Sequence, residues 1–237
     1  MNHPAASRVR TGLVFLACAV ASVAWAAKKT DLPLLVSEDF EHGAGRWQPT
    51  DPQAWKILDT PQGKVYSLFQ QSNYVPKHRS PLNFSILKDV VVGDFVLEAK
   101  VQSTVKDYPH RDMCLVFGYQ DPDHYYYVHF GKVVDEHANQ IFVVNDADRA
   151  KISDKSTPGT PWDDAWHRVK VVRNVESGAI QVYFDDLKSP AMTANDKTFA
   201  WGQVGVGSFD DLGNIDDVKL WGRRVEKGET KKTATKN

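Results

Sequence analysis

Phe95-Val96-Leu97-Glu98-Ala99-Lys100-Val101 is the stretch that decides the fold class. Apolar and charged residues alternate along it. Side chains of a strand point to opposite faces in turn, so Phe95, Leu97, Ala99 and Val101 share one face and Glu98 and Lys100 the other. This is the pattern of a half-buried β-strand. Trp166–Arg173 repeats it, with Val169 and Val171 opposite Arg168 and Lys170. Asn174 to Gly178 then turns the chain into Ala179–Phe184, which predicts a hairpin. Outward from these two runs, short β-branched and aromatic stretches recur between Gly, Pro, Asp and Asn. They predict strands at 34–41, 54–59, 64–69, 84–88, 94–103, 113–119, 124–130, 140–145, 149–153, 166–174, 179–185, 203–209 and 214–221. No long helix is predicted. Many short strands with frequent turn signals imply an all-β chain folded as a two-sheet antiparallel sandwich.

The N-terminus reads differently. Arg8 and Arg10 precede an apolar run from Leu13 to Ala24, and Ala24-Trp25-Ala26 offers the small-x-small pattern of a cleavage site. The run is shorter than the roughly 20 residues a spanning helix needs. Residues 1–26 are therefore expected to be a signal peptide, 27–222 one domain and 223–237 a disordered basic tail. The expected localisation is secreted or periplasmic, with no membrane span left after cleavage. Cys18 invites a lipoprotein reading, but Phe15-Leu16-Ala17 makes a poor lipobox. Cleavage removes two of 29 basic residues and none of 30 acidic ones, leaving a net charge of −3. So small a charge gives no electrostatic footprint for nucleic acid. Cys114 alone remains, so no disulfide within the chain is expected, and its apolar setting in Met113–Phe117 marks a small core residue.

Acidic pairs flank the strand ends: Asp121/Asp123, Asp135/Glu136, Asp146/Asp148, Asp163/Asp164, Asp185/Asp186 and Asp210/Asp211. Asp is favoured there because its carboxylate accepts from nearby backbone amides. Most of these pairs need no catalytic explanation.

Three stretches resemble the concanavalin A-like lectin/glucanase superfamily. They are Glu38-Asp39-Phe40 with Gly43 to Trp47, Trp166–Val171 leading to Val182-Tyr183-Phe184-Asp185, and Val204–Phe209 followed by Ile215–Leu220. The second is similar to the hairpin of laminin-G-like members. Nearer relatives resemble the 3-keto-disaccharide hydrolase-like domains of secreted bacterial proteins. The resemblance implies a jelly roll that holds a poly- or oligosaccharide on a concave sheet, as a monomer. It also implies a structural calcium tying the first strand to the last, matched here by Glu38 and Asp216 with a carbonyl near Gly43, although no cofactor is required. The Glu-x-Asp-x-x-Glu strand of the retaining glucanases is absent.

The most unusual stretch runs from His110 to Arg149. If 124–130 is a strand, Tyr126, Val128 and Phe130 face the core, and Tyr125, Tyr127 and His129 form a row on the other face. Aromatic planes with polar tips suit a pyranose. His110, Arg111, Tyr125, Asn145 and Trp201 are the expected ligand contacts. In a catalytic version His129 or Tyr127 transfers a proton, and Arg149 or Arg111 neutralises a uronate carboxylate. Three readings stay open: a carbohydrate-binding domain, a glycoside hydrolase or polysaccharide lyase, and a non-catalytic adhesion module. Tyr is also a good strand residue, so the row is equally read as an ordinary strand face. Zinc is not expected, since His124 and His129 lie on opposite strand faces and a third ligand would have to come from elsewhere in the fold.

Overall fold

Period-two alternation builds two antiparallel sheets that face each other across one core. The computed structural model describes residues 31–228. The signal peptide expected over 1–26 lies outside them. In chain order the strands are β1 (Leu34–Glu38), β2 (Trp47–Pro49), β3 (Trp55–Thr60), β4 (Gly63–Leu68), β5 (Asn83–Leu87) and β6 (Val92–Ser103). Then come β7 (Asp112–Asp121), β8 (His124–Gly131), β9 (Gln140–Asn145), β10 (Ala150–Lys151) and β11 (Ser153–Ser156). The last five are β12 (His167–Arg173), β13 (Ala179–Phe184), β14 (Met192–Asn195), β15 (Gln203–Ser208) and β16 (Gly213–Arg224).

One sheet has nine strands in the order β11-β14-β13-β12-β6-β16-β4-β3, with β1 also paired to β16. The other has seven, in the order β10-β9-β8-β7-β15-β5-β2. In the nine-stranded sheet Leu97 pairs with Val171 on one side and Leu220 on the other. Across the gap stand Leu115, Phe117, Tyr126, Val128, Phe130, Val204 and Val206, all buried in the same cluster. Each such aliphatic or aromatic side chain contributes about 1.5–3 kcal/mol by leaving water. The Glu98 and Lys100 face of β6 points away from this core, as alternation requires. The predicted hairpin is β12–β13, with Arg173 opposite Ile180. Gly178 closes its turn at φ +83°, and Asn174 Oδ1 accepts from the Ser177 amide.

Three features depart from the sequence expectation. The short strands β2, at a sheet edge, and β14, between β11 and β13, were not predicted; Met192-Thr193-Ala194-Asn195 carries too little alternation to stand out. The 149–153 run divides between β10 in one sheet and β11 in the other. The first residues of the expected tail are ordered, since Arg224 pairs with Val92 and the Val225 amide donates to Val91 O; residues 229–237 lie outside the described residues. Among the described residues no helix is long and apolar enough to cross a membrane.

Candidate functional site on the outer face of the seven-stranded sheet

The seven-stranded sheet turns an aromatic face away from the core. Phe84 from β5, Cys114 and Val116 from β7, Tyr125 and Tyr127 from β8, and Phe142 and Val144 from β9 form a second buried cluster there. Tyr127 stacks on Phe142 with ring centroids 5.1 Å apart, and Tyr125 lies 5.7 Å from Phe84. β15 adds Gly205 and Gly207 to the middle of this face. A Cβ on Gly207 would come 2.1 Å from Asn83 O, so these strands approach too closely for any side chain there.

The alternation placed Tyr125, Tyr127 and His129 on one face correctly, yet that face is not an open groove. Tyr125 and Tyr127 are fully buried and His129 is 4% exposed. The cover is residues 70–82, which join β4 in one sheet to β5 in the other. At one end the Asn73 amide donates to Asp51 Oδ2 and the Ser72 amide to Asn83 Oδ1. At the other the Arg79 amide donates to Asp148 Oδ1, and the Arg149 amide to Arg79 O. Tyr74 of the cover meets Phe84 edge-on at 6.0 Å. A sugar therefore cannot stack on Tyr125 or Tyr127 while the cover lies in place.

Beneath one edge of the cover is a polar nest. Asp112 is fully buried and accepts from Ser208 Oγ at 3.0 Å, the Phe209 amide at 2.9 Å and Cys114 Sγ at 3.3 Å. Its own amide donates to Asp211 Oδ2, and Tyr108 OH donates to Asp211 Oδ1. Burial, with Asp211 adding to it, pushes Asp112 up to about 7. His129 Nε2 lies 3.7 Å from Asp112 Oδ2, and neither ring nitrogen has a hydrogen-bond partner. Burial, then the Arg149 charge, pulls His129 down to about 3, so the imidazole is neutral at ordinary pH. Arg149 Nη1 donates to Tyr127 OH at 2.7 Å, and its guanidinium lies over Phe209 and Phe142 at 4.2 and 4.6 Å. Burial holds the Tyr127 phenol and the Cys114 thiol well above their ordinary values. These are poor groups for proton abstraction in this closed geometry.

Of the residues predicted from sequence, the fold gathers His129, Tyr127, Tyr125 and Arg149. It does not gather the rest. Arg111 is buried and ties loops together, donating to Ser103 Oγ and O and to Asp164 Oδ1. His110 is exposed beside Asp135. Asn145 is exposed opposite His124, at the other end of β8 from His129. Trp201 borders a crevice between the sheets with Phe117, Tyr126 and Arg173. Asp112, Ser208, Asp211, Tyr119 and Phe209 were missed. Counting back by two from Cys114 along β7 puts Asp112 on the outer face, a signal that was available.

The turn acids behave as expected. Asp121 accepts from the Asp123 amide, Asp135 from those of His137 and Ala138, and Asp186 from that of Lys188. At the expected calcium position, Asp216 Oδ1 is buried without a partner. Burial raises the Asp216 carboxyl, with Asp217 and Asp39 adding to it. Such a deficit of positive charge fits a hard cation with oxygen ligands. Glu38 Oε1 accepts from the Phe40 amide, on a strand paired to β16 two residues away.

No family model and no curated protein matches this sequence. Solved structures do match its shape. The carbohydrate-binding module CBM66 from Bacillus subtilis superposes with a TM-score of 0.52 at 17% identity, over 75% of this chain and 96% of that one. The fold is a concanavalin A-like jelly roll. Domain 4 of AbnA, a GH43 extracellular arabinanase from Geobacillus stearothermophilus solved with arabinotriose, gives 0.53 at 10% identity, over 82% and 95%. The winged bean acidic lectin bound to methyl-alpha-D-galactose gives 0.50 at 12%, over 81% and 99%. At these identities the jelly roll is shared as architecture, and function must be argued from the site.

Proposed function

We propose that this jelly roll is a secreted carbohydrate-binding domain whose ligand surface is the outer side of the seven-stranded sheet. The observation that carries the reading is the aromatic face itself: a continuous set of ring contacts whose edge reaches solvent through half-buried Tyr74, Tyr119 and Phe209. Half-exposed rings backed by rigid neighbours suit the C–H face of a pyranose, and Arg149 beside Phe209 supplies donors for hydroxyl or carboxylate oxygens. Tyr125, Tyr127 and His129 act from below, fixing Phe142, Phe209 and Arg149 in place. That three of the similar folds are a carbohydrate-binding module, an arabinanase domain and a lectin supports a sugar over a protein ligand. Binding is favoured over processing because His129 and Tyr127 are closed off from solvent.

A glycan array and polysaccharide depletion test this directly. Retention by at least one glycan is expected, with no ultraviolet gain from new double bonds on uronate polymers. No retention by any glycan would overturn the reading, and a gain in absorbance would replace it with a lyase. The reading includes a calcium held by Asp216, Glu38 and a carbonyl near Gly43. Chelation with EGTA is expected to lower the melting temperature, and an unchanged melt would remove the ion.

A further inference from the structure

One cluster of ligating side chains has no part in the aromatic face. His78 belongs to the cover, Asp123 to the turn between β7 and β8, and Asp146 to the turn after β9. One ligand atom from each lies within 4.8 Å of the others. His78 Nε2 stands 3.9 Å from Asp123 Oδ1 and 3.8 Å from Asp146 Oδ1. That nitrogen is shut off from solvent and has no hydrogen-bond partner. A buried ring nitrogen aimed between two carboxylates calls for a cation or a proton. Beside it, His124 Nε2 lies 4.0 Å from Asp146 Oδ2, while its Nδ1 is held by Asp121 Oδ1 at 2.8 Å. A carboxylate that fixes the far nitrogen of an imidazole is the usual support for a metal-binding histidine.

We propose that His78, Asp123 and Asp146, with His124 as the fourth ligand, bind one Zn²⁺ that clasps the cover onto the seven-stranded sheet. Tetrahedral zinc with bonds near 2.0–2.1 Å sets its ligand atoms about 3.3–3.4 Å apart. His78 Nε2 stands roughly half an ångström beyond that spacing from each carboxylate. His124 lies outside this three-residue cluster and has to swing in from its contact with Asp146 Oδ2 to complete the set. Two imidazoles and two carboxylates select zinc over calcium, which prefers six or more oxygens. Lys77 is the competitor. Its Nζ lies 3.0 Å from Asp146 Oδ1 and 3.7 Å from Asp123 Oδ2, and its side chain is largely exposed and free to swing away. The clasp is independent of the sugar reading, since its ligands and its test involve zinc alone.

The test is calorimetric titration of ZnCl₂ into the chelator-treated protein, with Co²⁺ absorption reporting the coordination. One zinc per chain is expected. His78→Ala and Asp146→Asn should each weaken it by roughly 10–100-fold or more, as loss of even an outer partner does at metal sites. Lys77→Ala should tighten it. His124→Gln leaves the cover untouched and should also weaken binding, so a cover that fails to fold in the His78 variant does not obscure the result. No zinc uptake by the wild type or the Lys77 variant would overturn the proposal. So would uptake that persists unchanged in both His78→Ala and Asp146→Asn.

Discussion

The nine-stranded sheet turns Glu98, Lys100, Arg168, Asp217 and Lys219 outward, while the seven-stranded sheet turns out Phe84, Tyr125, Tyr127 and Phe142. The first face has only a small apolar patch around Val96, Val172 and Tyr183, and its charges pair in solvent, as Lys100 does with Asp217. The second is as apolar as a core and is roofed by residues 70–82. Both obey the same period-two rule. Their difference lies in what crosses above them. A face built of rings needs either a ligand or a cover, and here a cover with an aromatic rim supplies one and leaves an edge for the other.

The contrast breaks most easily by truncation. Tyr125→Ala is expected to destabilise the fold by about 3–5 kcal/mol, because a large buried side chain leaves a cavity under the cover. Arg168→Ala on the other sheet should stay within about 0.5 kcal/mol, its guanidinium being exposed and 3.7 Å from Glu98. Denaturant melts read both, and similar costs at the two sites would erase the distinction between the faces.

The buried nest sharpens it through pH. Native Asp112, raised to about 7, keeps a proton that the unfolded chain releases near 3.8. Its stabilising contribution is full below that value and is lost as pH rises to about 7. His129, lowered to about 3, refuses a proton that the unfolded imidazole takes near 6.5, so its contribution is full above 6.5 and is lost as pH falls. In the wild type the two slopes oppose each other. Asp112→Asn should leave stability rising with pH over this window and His129→Gln should leave it falling. Each slope is at most about 1.4 kcal/mol per pH unit. Two variants with slopes of the same sign would show that the nest does not titrate as a buried pair.

A smaller effect belongs to the rim. Arg149→Ala removes the donor to Tyr127 OH and the plane over Phe142 and Phe209, and should cost about 1–3 kcal/mol by thermal or chemical melting. A cost near zero would mean that Arg149 rests on this edge without supporting it.

Much of this was legible beforehand, for a physical reason. Alternation is local, so the partition of Tyr126, Val128 and Phe130 from Tyr125, Tyr127 and His129 could be read from seven residues. The cover could not. Gln71-Ser72-Asn73-Tyr74-Val75-Pro76-Lys77-His78 has no period, and its anchors Asp146 and Asp148 are about 70 positions away in sequence. For the same reason His110, Arg111, Asn145 and Trp201 looked like one site and are scattered by the fold. The third ligand of the proposed zinc site, absent from the sequence pattern around His124, arrives by that same long crossing, in His78.

The most direct measurement compares glycan retention by three proteins on one polysaccharide that the wild type binds. They are the wild type, a Tyr119→Ala/Phe209→Ala variant on the aromatic edge, and an Arg168→Ala/Lys219→Ala variant on the charged face. Retention should be lost in the first variant and kept in the second. Retention kept in the first and lost in the second would place the sugar on the nine-stranded sheet and contradict the assignment of the binding face.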